Sequence, residues 1–129
     1  MNKCILDSSA LLALFNSEKG KDMVEDLLPF SVMSTVNTAE VAAELNNKLN
    51  IKAADCSKMI HSLVKEIVPF DFDQSIVTGL LKKTTKSLGL SLGDRACITL
   101  GTALNLPVYT ADKSWKKLEG VNCRIILIR

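Results

Sequence analysis

Aromatic side chains make up only 5% of the 129 residues, so the core has to be assembled from Leu, Ile, Val and Ala. Histidine occurs once. That residue, His61, has no acidic or cysteine partner close by in sequence, and imidazole serves as ligand or base only among organised neighbours; a structural or surface role is expected. The four cysteines, Cys4, Cys56, Cys97 and Cys123, show no paired spacing. This excludes a disulfide framework and a thiolate zinc site and implies reduced, mostly buried thiols. No apolar run reaches the ~20 residues that a membrane span needs. The N-terminus passes into a strand pattern without the apolar stretch of a secretory signal, so a cytoplasmic protein is expected. Repeats, low-complexity tracts and linkers are missing too. Residues 1–129 read as one domain, large enough to bury a core.

The chain is 47% apolar and 23% charged, ordinary values for a globular domain. Its net charge of +2 is unevenly spread: residues 1–81 carry 7 basic and 11 acidic side chains, residues 82–129 carry 9 and 3. A polyanion meeting the basic half is compatible with this, and so is a set of solvated lysine faces.

The apolar pattern alternates between short strands and helices. Cys4–Leu6 is a buried strand ending at Asp7, with a helix over Ser8–Phe15. A helix follows at Lys19–Leu28, stopped by Pro29, then a strand at Phe30–Ser34. Asn37 opens a long helix to about Leu49, and another spans Ala53–Lys65. Ile67–Val68 is a short strand. Gln74–Leu88 is helical with Ile76, Val77, Leu80 and Leu81 inward. A helix opening near Asp94 leads to a strand at Pro107–Thr110, a further helix after Asp112, and a last strand at Cys123–Ile128. This rhythm predicts an α/β fold with a parallel sheet covered on both sides and right-handed crossovers.

Four acids stand at turning points of this pattern. Asp7 and Asp112 follow strands; Glu40 and Asp94 sit in first turns of helices. Each has an innocent explanation. Ser91-x-x-Asp94 and Asn37-x-x-Glu40 resemble capping boxes, Asp7 and Asp112 could be N-caps, and acid suits a helix N-terminus. Their joint placement argues otherwise, because a parallel sheet brings all four to its carboxyl edge, where open α/β folds bind ligands. Two carboxylates about 5 Å apart at an effective dielectric near 20 repel by about 3 kcal/mol. A cluster therefore needs a cation or protons. Oxygen ligands without nearby His or Cys select Mg²⁺, or Mn²⁺, over zinc. Metal-assisted attack of water on a phosphodiester follows from that chemistry.

The same residues carry a family pattern. LDSSALLALF, STVNTAEVAAEL and LSLGDRACITLGTALNLPVYTADKSWKKL, closed by IILIR, together resemble a PIN-domain ribonuclease of the VapC toxin type. The resemblance implies a three-layer PIN-like domain and a metal-dependent endoribonuclease that takes RNA as substrate. It also implies a homodimer, inhibited by a cognate antitoxin. Carried over by position, Asp7, Glu40, Asp94 and Asp112 form its acidic cluster and metal site. Thr110 is a polar helper that orients a carboxylate or water, and Ser8 and Ser9 fill small or polar positions. Glu44, one turn after Glu40, is left as a supporting or surface group. Two rivals stand beside this. Aspartyl-phosphate chemistry wants a second acid two residues after the first, where Ser9 stands. A catalytically inactive PIN-like module binding RNA or protein would have no use for four intact acids. Tyr109 and Trp115 are expected to pack more than to stack on bases, and Arg95, Lys113, Lys116 and Lys117 are candidates for phosphate contact.

Overall fold

Alternation decides which face each strand residue meets. Strand β1 (Cys4–Leu6) sends Cys4 and Leu6 into one core and Ile5 into the other; β2 (Ser31–Ser34) does the same with Met33 and Val32. Both faces take aliphatic side chains, as a parallel sheet covered on two sides requires. In the computed structural model, which describes residues 2–129, β3 (Glu66–Val68), β4 (Val108–Thr110) and β5 (Ile125–Leu127) complete one sheet of order β3-β2-β1-β4-β5, every pair parallel.

Helices α1 (Ser8–Phe15), α2 (Lys21–Leu27), α3 (Thr35–Leu49) and α4 (Ala53–Leu63) line one face, where Leu11, Val24, Val41, Leu45 and Ile60 pack against Leu6 and Met33. On the other face, α6 (Leu92–Leu104) lays Cys97, Ile98 and Leu100 over Ile5, Val32 and Val108, with Trp115 closing that core. Helix α5 (Phe72–Thr84) packs on α6 through a hydrogen bond between the Thr78 and Thr99 hydroxyls at 2.8 Å. This is the α/β three-layer architecture expected from the pattern. No helix among the described residues is long and apolar enough to cross a membrane.

From β1 the chain steps outward to β2 and β3, then crosses back to β4 on the other side of β1 and out to β5. The direction of winding reverses between β1 and β4, so the connections leaving these neighbours diverge and open a crevice at their carboxyl ends.

Several elements differ from the sequence pattern. Helix α3 opens at Thr35, capped by Ser34, whose hydroxyl accepts from the Val36 amide, so Asn37 lies inside the helix. Helix α5 starts at Phe72 behind an Asp71 cap and ends at Thr84, with a separate 3-10 turn at Lys86–Leu88. Its phase is also shifted. Thr78 and Thr85 are buried and Leu81 faces the core, whereas Ile76, Val77 and Leu80 are exposed, because α5 turns Thr78 toward Thr99 of α6. The segment after Asp112 is a 3-10 turn, Lys113–Lys117, and not an α-helix. Cys4, Cys56 and Cys97 are buried free thiols and Cys123 is half-buried and free.

Candidate functional site

Asp7 stands between β1 and α1, at the crevice. It holds the N-cap position of α1, yet its side chain makes no capping bond. Its Oδ2 instead accepts from the Ser9 hydroxyl at 2.6 Å and the Thr110 hydroxyl at 2.9 Å. Those hydroxyls are themselves oriented by backbone: the Ala111 amide donates to Ser9 Oγ at 3.0 Å and the Asp112 amide to Thr110 Oγ1 at 3.1 Å. With their lone pairs engaged by amides, both hydroxyls turn their protons to the carboxylate, a polarised relay from the end of β4 to the end of β1. The other oxygen, Oδ1, is buried and has no hydrogen-bond partner among the described residues. Burial pushes the Asp7 carboxyl from its ordinary 3.8 up to about 6; the two hydroxyls oppose this, and the charges of Asp94 and Glu40 add to it.

Glu40, half-buried in α3, is held by two donors on Oε1: the Ser8 hydroxyl at 2.9 Å and the Asn37 side-chain amide at 2.9 Å. Asn37 Nδ2 also donates to the Gly93 carbonyl at 3.0 Å, tying α3 to the first turn of α6 across 56 residues of sequence. The Glu40 carboxylate lies directly against Gly93, where a Cβ would collide with it. Glycine is there because a carboxylate occupies the side-chain space. Glu44, by contrast, turns away to Lys48 in an i,i+4 pair at 2.7 Å.

Asp94 forms the expected capping box with Ser91: the Asp94 amide donates to Ser91 Oγ at 3.1 Å and the Ser91 amide to Asp94 Oδ2 at 3.0 Å. Asp112 caps the 3-10 turn that follows it, its Oδ1 accepting from the Ser114 amide at 3.0 Å and the Ser114 hydroxyl at 2.7 Å. A capping role and a site role do not exclude each other, because a carboxylate has two oxygens and can fill both. In each of the four acids one oxygen is taken by protein donors, while no hydrogen bond among the described residues reaches Asp7 Oδ1, Glu40 Oε2, Asp94 Oδ1 or Asp112 Oδ2.

The four do not meet as equals. Asp7, Glu40 and Asp94 are near enough for the last two to act on Asp7 by charge. Asp112 is exposed and turned to Ser114, its backbone beside the site through Thr110. Among the described residues, no three acidic, His or Cys side chains stand close enough to form a ligand cage. Mg²⁺ does not require one, since it retains several waters and is held through one or two carboxylates. A buried, partnerless carboxylate oxygen beside two further acids is the donor set such an ion needs, and the residues fit it on that ground.

Other sequence candidates fall elsewhere. Arg95 is buried, its Nη1 donating to the Thr78 carbonyl at 2.9 Å, so it braces α5 and is unavailable to phosphate. Lys113, Lys116 and Lys117 are exposed on the turn after Asp112. Trp115 is buried and Tyr109 packs against the core; His61 is exposed on α4. Asn37 and Gly93 escaped the sequence reading as site residues. The sequence pattern of Asn37 is that of a cap, and Gly93, a poor helix former inside a first turn, is the signal the sequence offers.

A parallel α/β domain with a buried acid at its switch point is the class these features define. The PIN domain family matches residues 4–121, and the chain belongs to that family. A comparison with curated proteins finds no significant match. Solved structures share the fold. The chain is similar to VapC20 of Mycobacterium tuberculosis, a toxin described as cleaving the sarcin-ricin loop, at TM-score 0.77 and 16% identity over 93% of this chain and 97% of that one. It is similar also to a toxin–antitoxin complex from Klebsiella pneumoniae at TM-score 0.75 and 17% identity over 98% of both chains. A third is DNA-bound VapBC from Salmonella typhimurium, at TM-score 0.73 and 16% identity over 100% of both.

Proposed function

We propose that the chain is a Mg²⁺-dependent endoribonuclease and the VapC-type toxin of a toxin–antitoxin pair, working as a homodimer silenced by its antitoxin. The observation that carries this reading is the buried Asp7 Oδ1, without a hydrogen-bond partner among the described residues, in a carboxyl group that feels the charges of Glu40 and Asp94. Asp7, Glu40 and Asp94 would hold the ion, with Asp112 completing the set by turning its free oxygen inward; Mn²⁺ would serve in its place. A divalent ion there supplies an activated water and charge to offset that building on phosphate and leaving oxygen. Thr110 and Ser9 hold Asp7 in one orientation, and Ser8 and Asn37 do the same for Glu40. Lys113, Lys116 and Lys117, exposed on the turn after Asp112, would meet the RNA backbone. Support for a toxin role comes from the structural relatives, among them a toxin and a toxin–antitoxin complex.

The test is cleavage of total RNA by the purified protein with Mg²⁺ and with EDTA. Cleavage is expected with the ion alone, and Asp94→Asn, which keeps an acceptor for the Ser91 amide, should fold normally and lose it. Cleavage retained by that variant, or equal in EDTA, overturns the assignment. A wild-type protein that binds RNA and never cuts it would instead be an inactive binding module.

A further inference from the structure

We infer that Asn37 is a positioning residue that sets the separation of Glu40 and Asp94, and with it how sharply the crevice discriminates Mg²⁺ from the larger Ca²⁺. The inference rests on the metal reading above and names the feature of the chain that chooses the ion. Asn37 lies in the first turn of α3 and is 0% exposed. It is not needed as a cap, because the Ser34 hydroxyl already accepts from the Val36 amide. Asparagine is also a poor choice inside a helix, since its side chain competes with the backbone for hydrogen bonds. Helix formation therefore does not explain it.

What Asn37 holds does explain it. Its partners, Glu40 Oε1 at 2.9 Å and the Gly93 carbonyl at 3.0 Å, are both acceptors, so only the NH₂ end of the amide can face them. One planar group spends both its hydrogens, one on a carboxylate of α3 and one on the peptide unit that leads into Asp94. No other hydrogen bond among the described residues joins α3 to α6. The two helices meet so closely there that a Cβ on Gly93 would collide with the Glu40 carboxylate. Asn37 Oδ1 is turned away from both partners, buried and without a hydrogen-bond partner among the described residues. An orphaned acceptor lowers stability, and leucine, branched at the same atom, would carry none.

A fixed separation between two acids sorts ions by size. Mg²⁺ demands near-octahedral oxygens at about 2.1 Å, whereas Ca²⁺ takes more oxygens at about 2.3–2.6 Å in flexible geometry. A braced pair suits the first ion and a loosened pair admits the second. Ser8 also donates to Glu40 Oε1, but it has no bond to α6 and so orients one acid without setting the gap.

Isothermal titration calorimetry of the full-length protein with MgCl₂ and with CaCl₂, in the absence of RNA, tests this, with circular dichroism to confirm folding. Asn37→Leu and Asn37→Asp should each shift the ratio of the two dissociation constants about tenfold toward Ca²⁺. By charge alone, Asn37→Asp would tighten both ions alike and leave the ratio where it was. Ser8→Ala should keep the ratio within about threefold of wild type. A ratio unchanged in the Asn37 variants, or shifted as far by Ser8→Ala, overturns the role of Asn37 and leaves the metal site standing. Failure of both Asn37 variants to fold overturns it too, since the bridge would then serve the fold. A wild type that binds neither ion overturns the metal reading and this inference together.

Discussion

Neutralising Asp7 should make the protein more stable at neutral pH. The carboxyl is 2% exposed, and burial, with added repulsion from Asp94 and Glu40, raises it from 3.8 to about 6 against the pull of two hydroxyls. Between those values the folded state keeps a proton that the unfolded chain has released. Stability therefore falls as pH climbs through that window and is flat above it. The difference corresponds to about 3 kcal/mol at pH 7. Asp7→Asn keeps an oxygen to accept from Ser9 and Thr110 and carries no charge. It should match wild type below pH 4 and exceed it by about 3 kcal/mol at pH 7, or about 10 °C in Tm for a domain of this size. Trp115, the one tryptophan and fully buried, reports the transition, so urea unfolding by fluorescence in EDTA across pH 4–7 is the assay. Added Mg²⁺ should stabilise wild type and narrow the gap, since an ion bound only to the folded state adds its binding free energy. A variant less stable than wild type at pH 7, or a difference that does not change with pH, would refute the argument.

Gly93→Ala, which in most helices gains up to about 1 kcal/mol, should here lose stability and RNA cleavage together, because the new methyl enters the space of the Glu40 carboxylate; thermal melts and the cleavage gel check both. Glu44→Gln should leave cleavage at the wild-type rate and stability within about 0.5 kcal/mol, since it removes only a solvated i,i+4 pair with Lys48.

The placing of Asp7 and Asp112 just past strands β1 and β4 was legible because strand ends and their sheet edge follow from local pattern and parallel topology, although the expected helix after Asp112 is a 3-10 turn. The importance of Asn37 was not, since its partners are Glu40 one turn on and the Gly93 carbonyl, which only the packing of α6 brings near. Glu40 and Glu44 were hard to separate in sequence for a similar reason. One turn apart, they diverge because Ser8 and Asn37 hold the first while Lys48 holds the second. The error at α5 is of another kind. Periodicity finds a helix and its stripe, but carries no information on whether the stripe meets this chain's interior or another molecule.

The placement of Asp7 and Thr110 at the ends of β1 and β4 has a consequence for control. Both are interior strands with a hydrogen-bonded neighbour on each side, so the relay from Ala111 and Asp112 through Ser9 and Thr110 cannot be dismantled by fraying an edge. Taking it apart costs nearly the whole unfolding free energy, unlike a site carried on a loop that opens cheaply. Such an arrangement has no inexpensive internal off-position: it stays assembled for as long as the molecule stays folded, and on the reading proposed above any restraint would have to come from outside the chain.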